Sequence, residues 1–198
     1  GWAGRDPQRS HGSGHGRAAD GRIRRPRARW PGGQHTDAVV GAVELQTGTE
    51  ELTFVTNEAQ LLHFNAANVR PQGRTGGGVA GIRLTDGAQV VFFGAADLNF
   101  DNIVVTVSGS SDALPGTDAG SWKVTSFDEY PGKGRATAGV RAHRFLKGED
   151  TLLLAWVGPA DGRASAANGV SIDLPPAEGR RDGSGTPAQR AIGGIGGW

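Results

Sequence analysis

The 198-residue sequence contains no cysteine, no methionine and a single tyrosine. Without cysteine the chain has neither a disulfide nor a thiolate metal site, which fits a reducing compartment. It also lacks any run of about 18 apolar residues, so no spanning helix is expected, and no charged-then-apolar leader marks a secretory signal. A soluble, cytoplasmic protein with no membrane partner is the expectation. With no methionine, residue 1 is not an initiator, and the chain reads as a piece of a longer one. No pattern indicates a long amphipathic helix. Instead, 34 glycines and a 36% share of hydrophobic residues suit many short strands joined by tight turns.

Residues 1–36 stand apart. They hold almost no aliphatic residue but Ile23, and eight arginines against Asp6 and Asp20 make them +6. Such a segment buries too little apolar surface to fold alone. The rest of the chain is −5, so the overall +1 hides a mildly acidic folded part, expected over 37–192, followed by a tail at 193–198.

From Ala38 onward, strand-length apolar runs alternate with turn residues: Ala38 to Leu45, Leu52 to Thr56, Leu61 to Phe64, Val79 to Leu84, Val90 to Ala95 and Ile103 to Val107. The pattern recurs. Gly73-Arg74-Thr75-Gly76-Gly77-Gly78-Val79 lies 61 residues before Gly134-Arg135-Ala136-Thr137-Ala138-Gly139-Val140, with Leu61 on Trp122 and Val69 on Tyr130 at the same shift. Upstream, Val39-Val40 falls on Val90-Val91 at a shift of 51, which puts an insertion near Ser110 to Asp118. A degenerate third copy follows, with strands Leu152 to Val157 and Val170 to Leu174 and the string Gly179-Arg180-Arg181-Asp182-Gly183-Ser184-Gly185. Units are expected at about 38–85, 86–149 and 150–192. A four-stranded unit repeated every 50 to 60 residues or so signals blade-like modules around an axis. A single β-sandwich with similar strands is the alternative.

Charge follows the repeat. Asp37, Glu44, Glu50, Glu51 and Glu58 precede Arg70, Arg74 and Arg83, and Asp86, Asp97, Asp101, Asp112 and Asp118 precede Lys123, Lys133, Arg135, Arg141, Arg144 and Lys147. In the third unit Glu149, Asp150 and Asp161 precede Arg180 and Arg181. Stacked units would gather the basic halves into a stripe on an acidic body, a form suited to a curved polyanion. The alternative is a solvated basic face opposite acid-rich turns. Glycines beside Arg74 and Arg135 permit positive φ and close backbone approach, and the arginines would add phosphate forks. The following Lys and Ser/Thr of a P-loop are missing.

Asn68 to Leu84 and Asp128 to Val140 resemble the blade loops of the A subunits of gyrase and topoisomerase IV. Arg141 to Pro159, with Phe145-Leu146-Lys147-Gly148-Glu149-Asp150 and Ala155-Trp156-Val157-Gly158-Pro159, is most similar to the topoisomerase IV type of high-GC bacteria. The resemblance covers about residues 37 to 192. It implies an all-β, partial β-pinwheel, a propeller variant whose blades exchange strands, with two clear four-stranded blades and a degenerate third. It also implies a rim that guides or wraps duplex DNA in a bacterial, nucleoid-associated enzyme, with Arg70, Arg74, Arg83, Lys123, Lys133, Arg135, Arg141, Arg144, Arg180 and Arg181 as the expected DNA contacts. The other partners implied are a topoisomerase B subunit and a second A subunit, joined through a missing N-terminal part. ATP and Mg²⁺ would be used by other domains or subunits, and no cofactor is expected in this chain. The glutamine-arginine box of gyrase is relaxed here to Gln72-Gly73-Arg74-Thr75-Gly76-Gly77-Gly78, which leaves gyrase-type and topoisomerase IV-type activity both open. Residues 1–36 match nothing in the family and are expected to be a frameshifted or disordered stretch.

Catalytic groups are not in evidence. The family's cleaving tyrosine lies in a separate N-terminal domain, and Tyr130, whose repeat partner is Val69, is expected to pack in a core. His11, His15, His35, His63 and His143 are scattered. A β module that binds protein or glycan partners is the competing functional class.

Overall fold

The computed structural model describes residues 38–114 and 116–197. Among these the chain forms eleven strands and two single-turn 3-10 helices, Ala66–Asn68 and Phe127–Glu129. Among the described residues no helix is long and apolar enough to cross a membrane. The expectations for residues 1–36 lie outside the described residues.

Three antiparallel sheets result. The first contains β1 (Glu51–Thr56), β2 (Gln60–Asn65) and β3 (Val90–Ala96). The second contains β4 (Asn102–Gly109), β5 (Ser121–Ser126) and β7 (Thr151–Pro159), and the third β8 (Arg163–Ala166), β9 (Ser171–Ile172) and β11 (Ile192–Gly196). Two further strands cross over. β6 (Val140–Arg141) leaves the second blade to complete the first sheet, in the order β3-β1-β2-β6, and β10 (Thr186–Pro187) leaves the third blade to complete the second, in the order β10-β5-β4-β7. The third sheet keeps three strands, in the order β11-β8-β9. This is an all-β array of strand-exchanging blades.

Strand alternation explains the stacking, because the first and second sheets each bury both faces. Val55, Leu61 and Ala96 of the first sheet meet Val104, Phe127, Tyr130, Leu152 and Val157 of the second blade. Ile103, Val105 and Val124 on the opposite face of the second sheet meet Leu174 and Ile195. Each such side chain, fully buried, contributes about 1.5–3 kcal/mol. On the far face of the first sheet, Leu52, Leu62 and Phe64 pack with Phe54, Phe93 and Ile82. The edge strands β3, β7 and β11 lie against one another in turn. They therefore converge on one side of the array, and the exchanged strands close the opposite edges.

The blade boundaries differ from those expected. Val90–Ala96 and Thr151–Pro159 do not open the second and third units; each is the last strand of the preceding blade. Residues expected as a tail after 192 lie within β11. Two expected strands, Ala38 to Leu45 and Val79 to Leu84, carry no strand pairing. The physical reason is the same for both. At the 61-residue shift Val79 corresponds to Val140, which pairs with the blade before its own, and among the described residues no blade precedes the first. Gly41 instead runs close beside Phe93 of β3.

Candidate nucleic-acid interface

Each blade sends out an arm after its second strand, over residues 73–84, 134–145 and 180–191. The first and third arms open on the same backbone-bonded turn, and in the second Thr137 Oγ1 donates to the Gly134 carbonyl at 2.8 Å. A turn closes Gly76 N–H on the Gly73 carbonyl at 2.9 Å and Gly183 N–H on the Arg180 carbonyl at 3.0 Å. Arg74, Arg135 and Arg181 each sit at the same place in this turn. The arm then reaches the neighbouring blade, where Val140 stands opposite Leu61 and Thr186 opposite Trp122. Beyond it, Ala142 N–H donates to Ala59 O at 2.8 Å and Ala188 N–H to Gly120 O at 2.9 Å. The third arm thus lies 46 residues after the second, so Arg181 rather than Arg180 is the counterpart of Arg135.

Neighbouring arms are joined side by side. Arg83 N–H donates to Thr137 O at 2.9 Å, and Arg144 N–H donates to Gly183 O at 3.0 Å. A guanidinium adds a second link at each junction: Arg135 Nη1 donates to Ala80 O at 3.2 Å and Arg181 Nη1 to Arg141 O at 2.9 Å. A guanidinium has five N–H donors, so each staple leaves donors for an anion. At the far end of the arms the equivalent residues are Arg83, Arg144 and Arg190, all exposed. Arg190 was not singled out from the sequence. The signal for it is the spacing Arg-x8-Arg, shared by Arg74/Arg83, Arg135/Arg144 and Arg181/Arg190.

The expected contacts therefore separate. Arg70, Arg74, Arg83, Lys133, Arg135, Arg141, Arg144 and Arg180 are exposed, and Arg181 is half-buried at its staple. Arg180 also lies 3.9 Å from Asp182. Lys123 is the exception. It is 5% exposed, and its ammonium donates to the carbonyls of Arg180, Arg181 and Gly183 at 2.9, 2.7 and 2.9 Å. Burial pushes its pKa down to about 8, yet three acceptors call for three N–H donors, the ammonium form. This lysine holds the third arm in place and is not a phosphate ligand.

Two buried histidines join neighbouring blades. His143 Nε2 accepts from Gly185 N–H at 3.2 Å, so the proton sits on Nδ1, which donates to Thr106 Oγ1 at 2.8 Å. Burial, with the charge of Lys123 nearby, pushes its pKa down to about 4. His63 lies 2.8 Å from the Glu51 carboxylate and 2.9 Å from Tyr130 O, bridging the first two blades. Tyr130 is buried, its hydroxyl 2.8 Å from Thr125 Oγ1, and burial pushes its pKa up to about 12. It is a packing residue.

Blades that stack face to face, converge along one edge and exchange a strand along the other define a propeller of the pinwheel kind. Residues 50–97 and 116–153 match the family described as DNA gyrase C-terminal domain, beta-propeller. Among relatives, the topoisomerase subunit TopoM of Mycolicibacterium smegmatis is 39% identical over 108 residues, 54% of this chain and 14% of that protein. The gyrase A subunit of Staphylococcus epidermidis is 35% identical over 100 residues, 50% of this chain and 10% of that protein. A crystal structure of the C-terminal domain of DNA topoisomerase IV aligns with 77% of this chain and 51% of its own, at a TM-score of 0.59 and 18% identity, and so shares the fold. Over those two stretches the chain is similar to the DNA gyrase C-terminal domain family, and its matched part spans only a small share of the full-length relatives.

Proposed function

We propose that this chain is a DNA-binding module of a type IIA topoisomerase A subunit, guiding or wrapping a duplex along the arm-bearing rim during changes of DNA topology. The observation that carries this reading is the row of exposed Arg83, Arg144 and Arg190 at equivalent places on arms bonded to one another. Phosphate contacts supply most of the affinity for a duplex and little of its sequence preference. Bending a short site costs on the order of a few kcal/mol, so several arginines must act together to offset it. Strand cleavage, ATP and Mg²⁺ belong, on this reading, to other domains of the intact enzyme, to a B subunit and to a second A subunit.

The test is fluorescence anisotropy on a labelled duplex across a salt series. If about four to six phosphates are neutralised, log affinity falls against log salt with a slope of roughly −4 to −5. Arg83→Glu with Arg144→Glu flattens that slope by about two and leaves the fold intact, since both side chains are exposed. An unchanged slope in the double variant overturns the reading and favours a module for protein or glycan partners.

A further inference from the structure

The two junctions between blades differ in one respect. At the first, His63 of β2 is covered by the second blade: the Phe127 ring lies 4.6 Å from the His63 ring, and the Tyr130 carbonyl 2.9 Å from His63 Nε2. Both residues belong to the 3-10 turn that follows β5 and its C-terminal cap. At the second junction this cover is missing, and the spacing of equivalent residues shows why. Gly120 and Gly169, at φ +61° and +83°, precede the second strands of their blades and lie 49 residues apart. At the foot of the arms, Gly179 N–H donates to the Val124 carbonyl as Lys133 N–H donates to the His63 carbonyl, a spacing of only 46. The third blade is thus three residues short between these points, the length of the helix Phe127–Glu129, and residues 173–177 form no helix.

A cavity of about 570 Å³ stands in its place. Its floor is Ile103 and Val124, both buried in the second sheet. They hold the positions of Glu51 and His63 in the first sheet, since Ile103 faces Ser126 as Glu51 faces Asn65, and Val105 faces Val124 as Thr53 faces His63. Ile172 and Leu174 form one wall, and Pro176 and Ala177 another. Pro175 and Pro176 hold that wall extended, because a proline fixes φ and disfavours helix in the residue before it. The lining residues run from 103 to 177, well inside the described chain.

We propose that this cavity receives an aromatic side chain of a partner polypeptide with basic residues on either side of it. The chain itself shows what suits the space: at the equivalent junction a polypeptide turn fills it with a phenyl ring. An apolar floor offers water few hydrogen bonds, and the volume is ample for a ring and its neighbours. The rim supplies the charge preference. Asp161 and Asp173 line it against a single base, Arg163. Exposed Asp101 adjoins them, its carbonyl accepting from Ala160 N–H at 2.9 Å. Arg83, Arg144 and Arg190 take no part in the lining, so the site is separate from the row of arginines on the arms.

The test uses the full chain without DNA and the peptide acetyl-Gly-Lys-Phe-Lys-Gly-amide, followed by methyl NMR. Saturable shifts are expected at Ile103, Val124, Ile172 and Leu174, and none at exposed Leu98. Alanine in place of the peptide's phenylalanine should weaken binding at least about tenfold, the loss of one buried aromatic side chain. Glutamate in place of both its lysines should weaken it as well. Ala177→Trp, at an exposed position on the wall, should fill the cavity and abolish the shifts while melting temperature and duplex affinity hold. Grafting residues 126–132 in place of 175–178 should abolish them too. Shifts that do not saturate, an alanine or glutamate peptide that binds equally well, or undiminished binding to Ala177→Trp would overturn the proposal. So would toluene binding as tightly as the peptide, which would mark a site for small molecules.

Discussion

At the scale of single residues, Lys123 shows how far charge alone misleads. The sequence places it among bases that precede an arm, and nothing in its neighbours reveals that residues 180–183 fold back over it. Its counterpart in the first blade is Leu62, which is fully buried, so the position is a core position that in the second blade takes a cation. Lys123→Met keeps the volume but leaves three carbonyls unpaired, and an unsatisfied buried acceptor costs about 1–3 kcal/mol. Urea denaturation should therefore show a loss of several kcal/mol at most, while the slope of DNA affinity against salt stays unchanged. His143 makes a different prediction. Its folded pKa of about 4 lies below the ordinary 6.5, so between these values the unfolded chain binds more protons than the folded one. Stability is fully present above about pH 6.5 and falls, by roughly 1–3 kcal/mol, as pH drops toward 4. Melting temperatures of the parent should decline across that window more steeply than those of His143→Gln. Glu50, held to about 2 chiefly by the Thr47 N–H, loses its contribution only at lower pH.

At the scale of elements, the strands with two-residue periodicity were legible: β1, β2, β3 and β4 fall where the apolar alternation puts them. The 61-residue shift also located the arm of the second blade. Strand partnership was not legible, because alternation reports burial on each face but not which blade supplies the neighbour. That is why Val90 to Ala95 read as the start of a unit and Val79 to Leu84 as a strand. The third arm was misregistered by one residue, Arg180 for Arg181, because its repeat is shorter by 15 residues and an adjacent arginine pair offers two alignments. The arms themselves yield a paired prediction. Gly78 and Gly139 share φ +78°, so alanine at either carries a similar backbone strain, about 1 kcal/mol. Only at Gly139 does the new Cβ also collide with the Leu61 carbonyl. Gly139→Ala should lower the urea midpoint clearly more than Gly78→Ala; equal losses would mean that the arm is not seated on β2.

At the scale of the whole molecule, the recurrence of acids before bases suggested a basic stripe but named neither its spacing nor Arg190. Arg83, Arg144 and Arg190 stand at equivalent places on the three arms, and their side-by-side order depends on backbone bonds between arms that no charge count reveals. The strand exchange has a further consequence, for the order in which the chain folds. The first sheet receives its last strand from Val140–Arg141, some 44 residues after β3 ends, and the second from Thr186–Pro187. A ribosome adds about 5–20 residues per second, so each blade waits several seconds, incomplete at one edge, for its successor to emerge. Synthesis would then proceed as a relay in which no blade is finished until the next is nearly made, and a stop codon inside any arm would unsettle the blade before it.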